Sequence, residues 1–230
     1  MKSMDNSKIA YVGVHLGFCS DPNNPMVMGP RKIYETLAPI ADPEFKRRIY
    51  EQTQSILHRR GDYDIYLDNI RTFLDFLRPK SRFSFMRDRD QDKPYFINVV
   101  EERVHRTRYN YTRGVISVPQ GDITIVTKNG DTEIKDVRRG KEKTDIDSVY
   151  AALKEEGRDT VVFIGECAWW DMEGQYRACL GTIASKFSEN EFEISSVEGC
   201  IFPSKRPADL EDEVIDALYS NTVPLPQVEE

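Results

Sequence analysis

Residues 164–174, IGECAWWDMEG, hold three carboxylates, a thiol and both tryptophans of the chain. Glu166 and Asp171 could accept or donate a proton. Cys167 would be a nucleophile in its thiolate form, and Trp169 and Trp170 are flat, large and able to donate a hydrogen bond. They suit the wall of a pocket for an aromatic or planar ligand, with Gly165 and Ala168 as the small residues beside them. Lys128 follows directly on ITIVT, so its ammonium emerges where a strand ends. There it could pair with an anionic ligand or with a carboxylate such as Asp171. His15 follows AYVGV and could serve as a base. Each residue also has a plainer reading. Asp171 would be favoured at a helix start by about 0.3–1 kcal/mol through the helix dipole alone. Cys167 could be a small buried hydrophobe, and His15 a turn histidine with a structural partner. Cys179 and Cys200 read as packing on a helix face and at a strand end, and Cys19 follows the first turn.

Metal and nucleic-acid chemistry find less support. The four cysteines form no CxxC pair and the histidines at 15, 58 and 105 are scattered, so neither a zinc site nor a cofactor is expected. Asp88, Asp90 and Asp92 alternate, but lack the glycine turn and distal glutamate of a calcium loop; they read as a solvated loop. The basic and aromatic run HRTRYNYTR (105–113) reads as a pocket lid or interface segment, because a net charge of −7 argues against nucleic acid as a partner. No apolar run is long enough to span a membrane. The N-terminus lacks a signal-peptide pattern, so reduced thiols in a cytoplasmic protein are expected.

These residues need elements to hold them. KIAYVGV (8–14), GDITIVTK (121–128) and DTVVFIG (159–165) read as strands, the last apolar throughout as in parallel sheets. RFSFM (82–86) and EFEISSV (191–197) are further strand candidates. Pro39 and Pro43 divide a helical pattern into 31–38 and 43–60, the second capped by Asp42. Residues 63–78 place Ile65, Leu67, Ile70, Phe73, Leu74 and Leu77 largely on one helix face. Further helices are expected from Thr144-Asp-Ile-Asp to about residue 156, stopped by Gly157, and over 171–186 and 209–219. Residues 95–118 stay open between helix and strand. The alternation predicts an α/β protein with an open, mostly parallel sheet and helices on both faces. It predicts one domain over 1–230, with a helical insertion near 30–60 and a loose tail over 220–230. Ligands bind such sheets beyond the carboxyl ends of the strands, where Phe18, Lys128, Gly165–Asp171 and Glu198 fall.

Four stretches, in this order, resemble the isochorismatase-like superfamily, which includes the cysteine hydrolases: VGVHLGFC (12–19), GDITIVTKNGDTEI (121–134), TDIDSVYAALKEEGRDTVVFIGECAWWD (144–171) and EFEISSVEGC (191–200). The resemblance implies a Rossmann-like three-layer fold and a small-molecule hydrolase or lyase. It places the family's catalytic aspartate at Gly13, its lysine at Lys128 and its cysteine at Asp171. Lys128 and Asp171 would then supply charge stabilisation and proton transfer, with His15 or Glu198 as helper. The resemblance also implies an oxyanion site from amides around Cys167 and Asp171, a strained or cis peptide between Glu166 and Cys167, and a homo-oligomer. The alternative is a degenerate member that binds a planar or anionic small molecule, or acts as a scaffold, without chemistry.

Overall fold

The computed structural model describes residues 8–16, 60–77, 94–102, 121–128, 132–166, 168–172, 175–177, 179–206, 208 and 210–226. The expected helices over 31–38 and 43–59, the strand over 82–86, the aspartates at 88–92, the segment 103–118, and Phe18, Cys19 and Cys167 lie outside the described residues. So do Gly17 and residues 227–230.

The centre of the sheet is β1 (Ile9–Val14), buried along its whole length. Its neighbours are β2 (Tyr95–Glu101) and β6 (Thr160–Glu166), both parallel to it. The open question over residues 95–101 is therefore answered as strand. Beyond β2 lies β3 (Ile123–Lys128), again parallel. Two antiparallel strands extend that side, β4 (Glu133–Arg139) and β5 (Glu142–Thr144). They were not expected from sequence, because β4 buries only Val137 and shows no apolar alternation. On the other side β6 pairs with β9 (Glu193–Phe202), and β9 with β10 (Thr222–Val223), all parallel. Among the described residues the order is β10-β9-β6-β1-β2-β3-β4-β5, an open and mostly parallel sheet as predicted.

Helices cover both faces. Helix α1 (Arg60–Leu77) lays Tyr66, Leu67, Ile70, Phe73, Leu74 and Leu77 against Ile9, Tyr11, Phe96, Val162 and Ile164. Ile65 departs from expectation: it is 63% exposed, because it stands about 100° round the helix from Tyr66, off the buried stripe. The opposite face carries α2 (Ile146–Glu155), α3 (Cys179–Ser188) and α4 (Glu213–Ser220). Their side chains pack on Ala10, Val12, Val14, Val161 and Phe163. Asp145 caps α2 by accepting from the Ser148 amide at 2.7 Å. Phe187 of α3 is the hub of an aromatic cluster, with ring centroids 5.1 Å from Tyr150, 5.7 Å from Phe163 and 5.6 Å from Phe192.

Two boundaries need correction. The helix expected over 171–186 begins only at Cys179; residues 169–177 instead hold β7 (Trp169–Met172) and β8 (Gln175–Arg177), an antiparallel pair outside the main sheet. Asp171 therefore lies in a strand and is not a helix cap. The tail expected to be loose from residue 220 is held at its start: Thr222 and Val223 pair with Ser196 and Val197, and the Ser195 hydroxyl and Ser196 amide both donate to the Asn221 carbonyl.

Candidate functional site

The carboxyl ends of β1 and β6 meet at the middle of the sheet, in register Val14↔Gly165. Gly165 has φ +138, and a Cβ there would stand 2.1 Å from the Val14 carbonyl oxygen, so the close approach of the two backbones requires glycine. One residue further along each strand come His15 and Glu166. His15 takes φ +52 while its amide still donates to the Val99 carbonyl of β2 at 3.2 Å. Its side chain is buried, and Glu166 is fully buried. Two ionisable side chains thus sit at consecutive positions beyond a register pair, at the ligand-binding edge of a parallel sheet. Burying such groups is costly, and their concentration at a strand edge is a mark of functional sites.

After Glu166 the chain is held tightly. The Ala168 amide donates to the Phe202 carbonyl of β9 at 3.1 Å. The β7–β8 hairpin follows, fastened on both strands. Trp169 donates through its indole nitrogen to the Lys205 carbonyl at 3.0 Å. Arg177 donates to Asp212 at 2.6 Å and to the Ser185 hydroxyl at 2.5 Å. Asp212 also caps α4, accepting from the Val214 and Ile215 amides. Burial alone would raise the pKa of Asp212, but the Arg177 guanidinium and these amides outweigh it and hold the carboxyl below its ordinary value. Trp170 and Asp171 belong to β7.

Helix α3 returns to the same edge. A Cβ on Gly181 would stand 2.4 Å from the Ala168 carbonyl oxygen, so the first turn of α3 lies against the backbone that leaves β6. Cys179, the first residue of α3, is half-buried against the core. Helix starts favour negative charge through their first-turn amides. This placement was hidden in the sequence by the hairpin: a direct strand-to-helix turn puts the helix start at Asp171, eight residues too early. The available signal was the two-residue Glu173-Gly174 connection after WWDM, which suits a hairpin better than a helix. Cys200, by contrast, is pushed up to about 12 by burial and stays a neutral thiol.

The remaining expected residues are more dispersed. Lys128 ends β3, three strands along from β6, which at the usual strand spacing is about 14 Å. Its ammonium lies 2.5 Å from the Glu133 carboxylate across the β3–β4 turn, and that hydrogen bond raises its pKa. Glu198 is exposed on β9. At Gly13, where the resemblance places an aspartate, a Cβ would stand 2.8 Å from Leu16 Cδ1 and 2.9 Å from Phe96 Cζ. Hydrocarbon fills that position. Among the described residues no group of three His, Cys, Asp or Glu side chains could hold a metal ion, and no helix is long and apolar enough to cross a membrane.

No family model and no curated protein matches the chain. Solved structures similar to it include the following two. One is an isochorismatase from Pseudomonas putida, with 13% identity over 98% of this chain and 91% of that one, at a TM-score of 0.42. The other is N-carbamoylsarcosine amidase from Thermoplasma acidophilum, with 16% identity over 97% of this chain and 99% of that one, at a TM-score of 0.41.

The arrangement at the β1–β6 edge can do proton transfer. His15 and Glu166 end adjacent strands, which puts an imidazole and a carboxylate, two group types that proton transfer uses, at one edge of the sheet. A thiol at the start of α3 supplies a nucleophile of the right softness for acyl chemistry. Of the residues expected at the site, His15, Gly165, Glu166 and Ala168 come together, whereas Lys128 and Glu198 stand on other strands.

Proposed function

We propose that this protein is an isochorismatase-like small-molecule hydrolase or lyase with a site of altered composition at the carboxyl edge of β1 and β6. The observation that carries the reading is the burial of His15 and Glu166 at consecutive positions beyond the Val14↔Gly165 pair. In this reading His15 moves the proton and Glu166 orients it. Lys128 and Asp171 bear charge toward a planar or anionic substrate, and of the two cysteines among the described residues Cys179, half-buried at the start of α3, is the candidate to attack a carbonyl. A panel of small amides and enol ethers tests it. The expected result is turnover that falls at least tenfold in His15→Gln while the variant still unfolds cooperatively. Serine variants then separate the two chemistries: loss of turnover in Cys179→Ser or Cys167→Ser, with cooperative unfolding kept, assigns a thiol nucleophile, and turnover retained when both are replaced together assigns a thiol-independent route through Lys128 and Asp171. Turnover indifferent to His15→Gln would sink the site assignment.

A second reading has its own support. Hydrocarbon at Gly13 and the pairing of Lys128 with Glu133 favour a protein that keeps the pocket but not the reaction. Its signature is a ligand that quenches tryptophan fluorescence at micromolar concentration, with no member of the panel turned over.

A further inference from the structure

We propose that Asn69 of α1 is a positioning residue for the β6 edge, acting through β9 from the far side of the sheet. The inference rests on the reading that this edge is functional.

The β6–β9 register is broken in an unusual way. Phe163 pairs with Ser196, and pairing resumes with Gly165↔Ile201 and Glu166↔Phe202. Residues 197–200 therefore stand opposite Ile164 alone, where an ordinary bulge sets two residues against one. Val197 and Cys200 of this excursion are buried in the cluster under α1, while Glu198 and Gly199 are exposed. Its tip is gripped by α1: the Asn69 side-chain amide donates to the Gly199 carbonyl at 3.1 Å. Gly199 has φ +70, and a Cβ there would stand 2.3 Å from Asn69 Nδ2. The left-handed φ favours glycine at this position, and a side chain there would push against the Asn69 amide.

The grip is part of a stripe. Asp62, Tyr66 and Asn69 follow one another along one face of α1. They meet β9 and its exit in reverse order. The Ser204 hydroxyl donates to Asp62 at 3.3 Å, the Phe202 ring lies 5.8 Å from the Tyr66 ring, and Gly199 accepts from Asn69. What this stripe holds is the segment against which the β6 edge is built. Ile201 and Phe202 pair with Gly165 and Glu166, and the Phe202 carbonyl receives the Ala168 amide. A strand that slips by one residue turns every side chain to the other face. If the excursion lost or gained a residue, Phe202 would leave its cluster and Glu166 its partner strand. Asn69 fixes the length of the excursion and so the position of the edge.

The test reads the edge without needing a substrate. Both tryptophans of the chain lie in β7, directly after that edge, so emission excited beyond the tyrosine band comes from that strand. In Asn69→Ala, cooperative unfolding persists with a Tm lowered by about 2–4 °C. Tryptophan emission shifts to the red and acrylamide quenching increases. Arg71→Ala, on the exposed face of the same helix, leaves both unchanged. Asn69→Ser, which keeps a donor, lies between wild type and Asn69→Ala, and replaces it if that variant does not fold. Gly199→Ala reproduces the fluorescence change, and the double variant adds nothing to it. A fall in Tm with wild-type emission and quenching overturns the proposal and leaves the hydrolase reading intact. A panel without turnover overturns the hydrolase reading and leaves the fluorescence result to stand by itself.

Discussion

At Gly165 a methyl group would have to occupy the space of the Val14 carbonyl oxygen, 2.1 Å away, at a φ of +138 that L-residues rarely adopt. Gly165→Ala is expected to lower stability by at least ~3 kcal/mol, read as a fall in the denaturant midpoint. Gly13 is glycine for another reason, since its space is filled by Leu16 and Phe96. Gly13→Asp tests whether the aspartate implied by the resemblance can simply be restored. It would bury a carboxylate in hydrocarbon, so a loss of about 3 kcal/mol and no gain in turnover are expected. A variant as stable as wild type and more active would show that Leu16 and Phe96 swing aside. At this scale the sequence was partly legible. His15, Gly165 and Glu166 were picked out by type and by place after apolar strands. Cys179 was read as packing on a helix face, and it does pack against the core, at the first residue of α3 rather than within the helix.

The β7–β8 hairpin depends on Arg177, whose guanidinium ties β8 to the cap of α4 through Asp212. The native pKa of Asp212 lies below its ordinary 3.8. A carboxyl with a depressed native pKa stabilises the fold above the ordinary value and ceases to do so as pH falls through the native one. Asp212→Asn keeps a residue able to cap α4 but removes the charge facing Arg177. The Tm difference between wild type and this variant is expected to be full at neutral pH and to vanish well below 3.8. A difference that persists in acid would assign the effect to the cap rather than to the ion pair. The hairpin also shows why element boundaries failed near residue 171. WWDM and QYR are short, and local pattern alone let them pass as the first turns of a helix. Strands β1 and β6 were legible because their apolar runs are continuous, and β3 because its residues alternate.

Across the whole molecule, Tyr11, Tyr150 and Cys200 are each pushed up to about 12, chiefly by burial. Their ordinary values are 10.0, 10.0 and 9.0. Groups with raised native values give their full stabilisation below the ordinary pKa and lose it as pH rises toward the native one. The Tm is therefore expected to hold up to about pH 9 and then to fall toward 12, and the part of the tyrosinate absorbance removed by Tyr11→Phe and Tyr150→Phe is expected to appear only as the protein unfolds. Tyrosinate from these two residues that appears before unfolding would show that the two faces of the sheet open to solvent in the native state. The sequence by itself determined the α/β class, the apolar strands at the centre of the sheet and the amphipathic face of α1, because burial on one side of an element imposes a period on neighbouring residues. Only the tertiary structure decided which strand lies beside which. That choice puts His15 and Glu166 at the ends of adjacent strands, sets residues 197–200 against Ile164 alone, pairs Lys128 with Glu133 and puts Asn69 on the tip of the β9 excursion. Each of these joins residues through strand order and register, which pair positions far apart in the chain and leave no periodic trace along it.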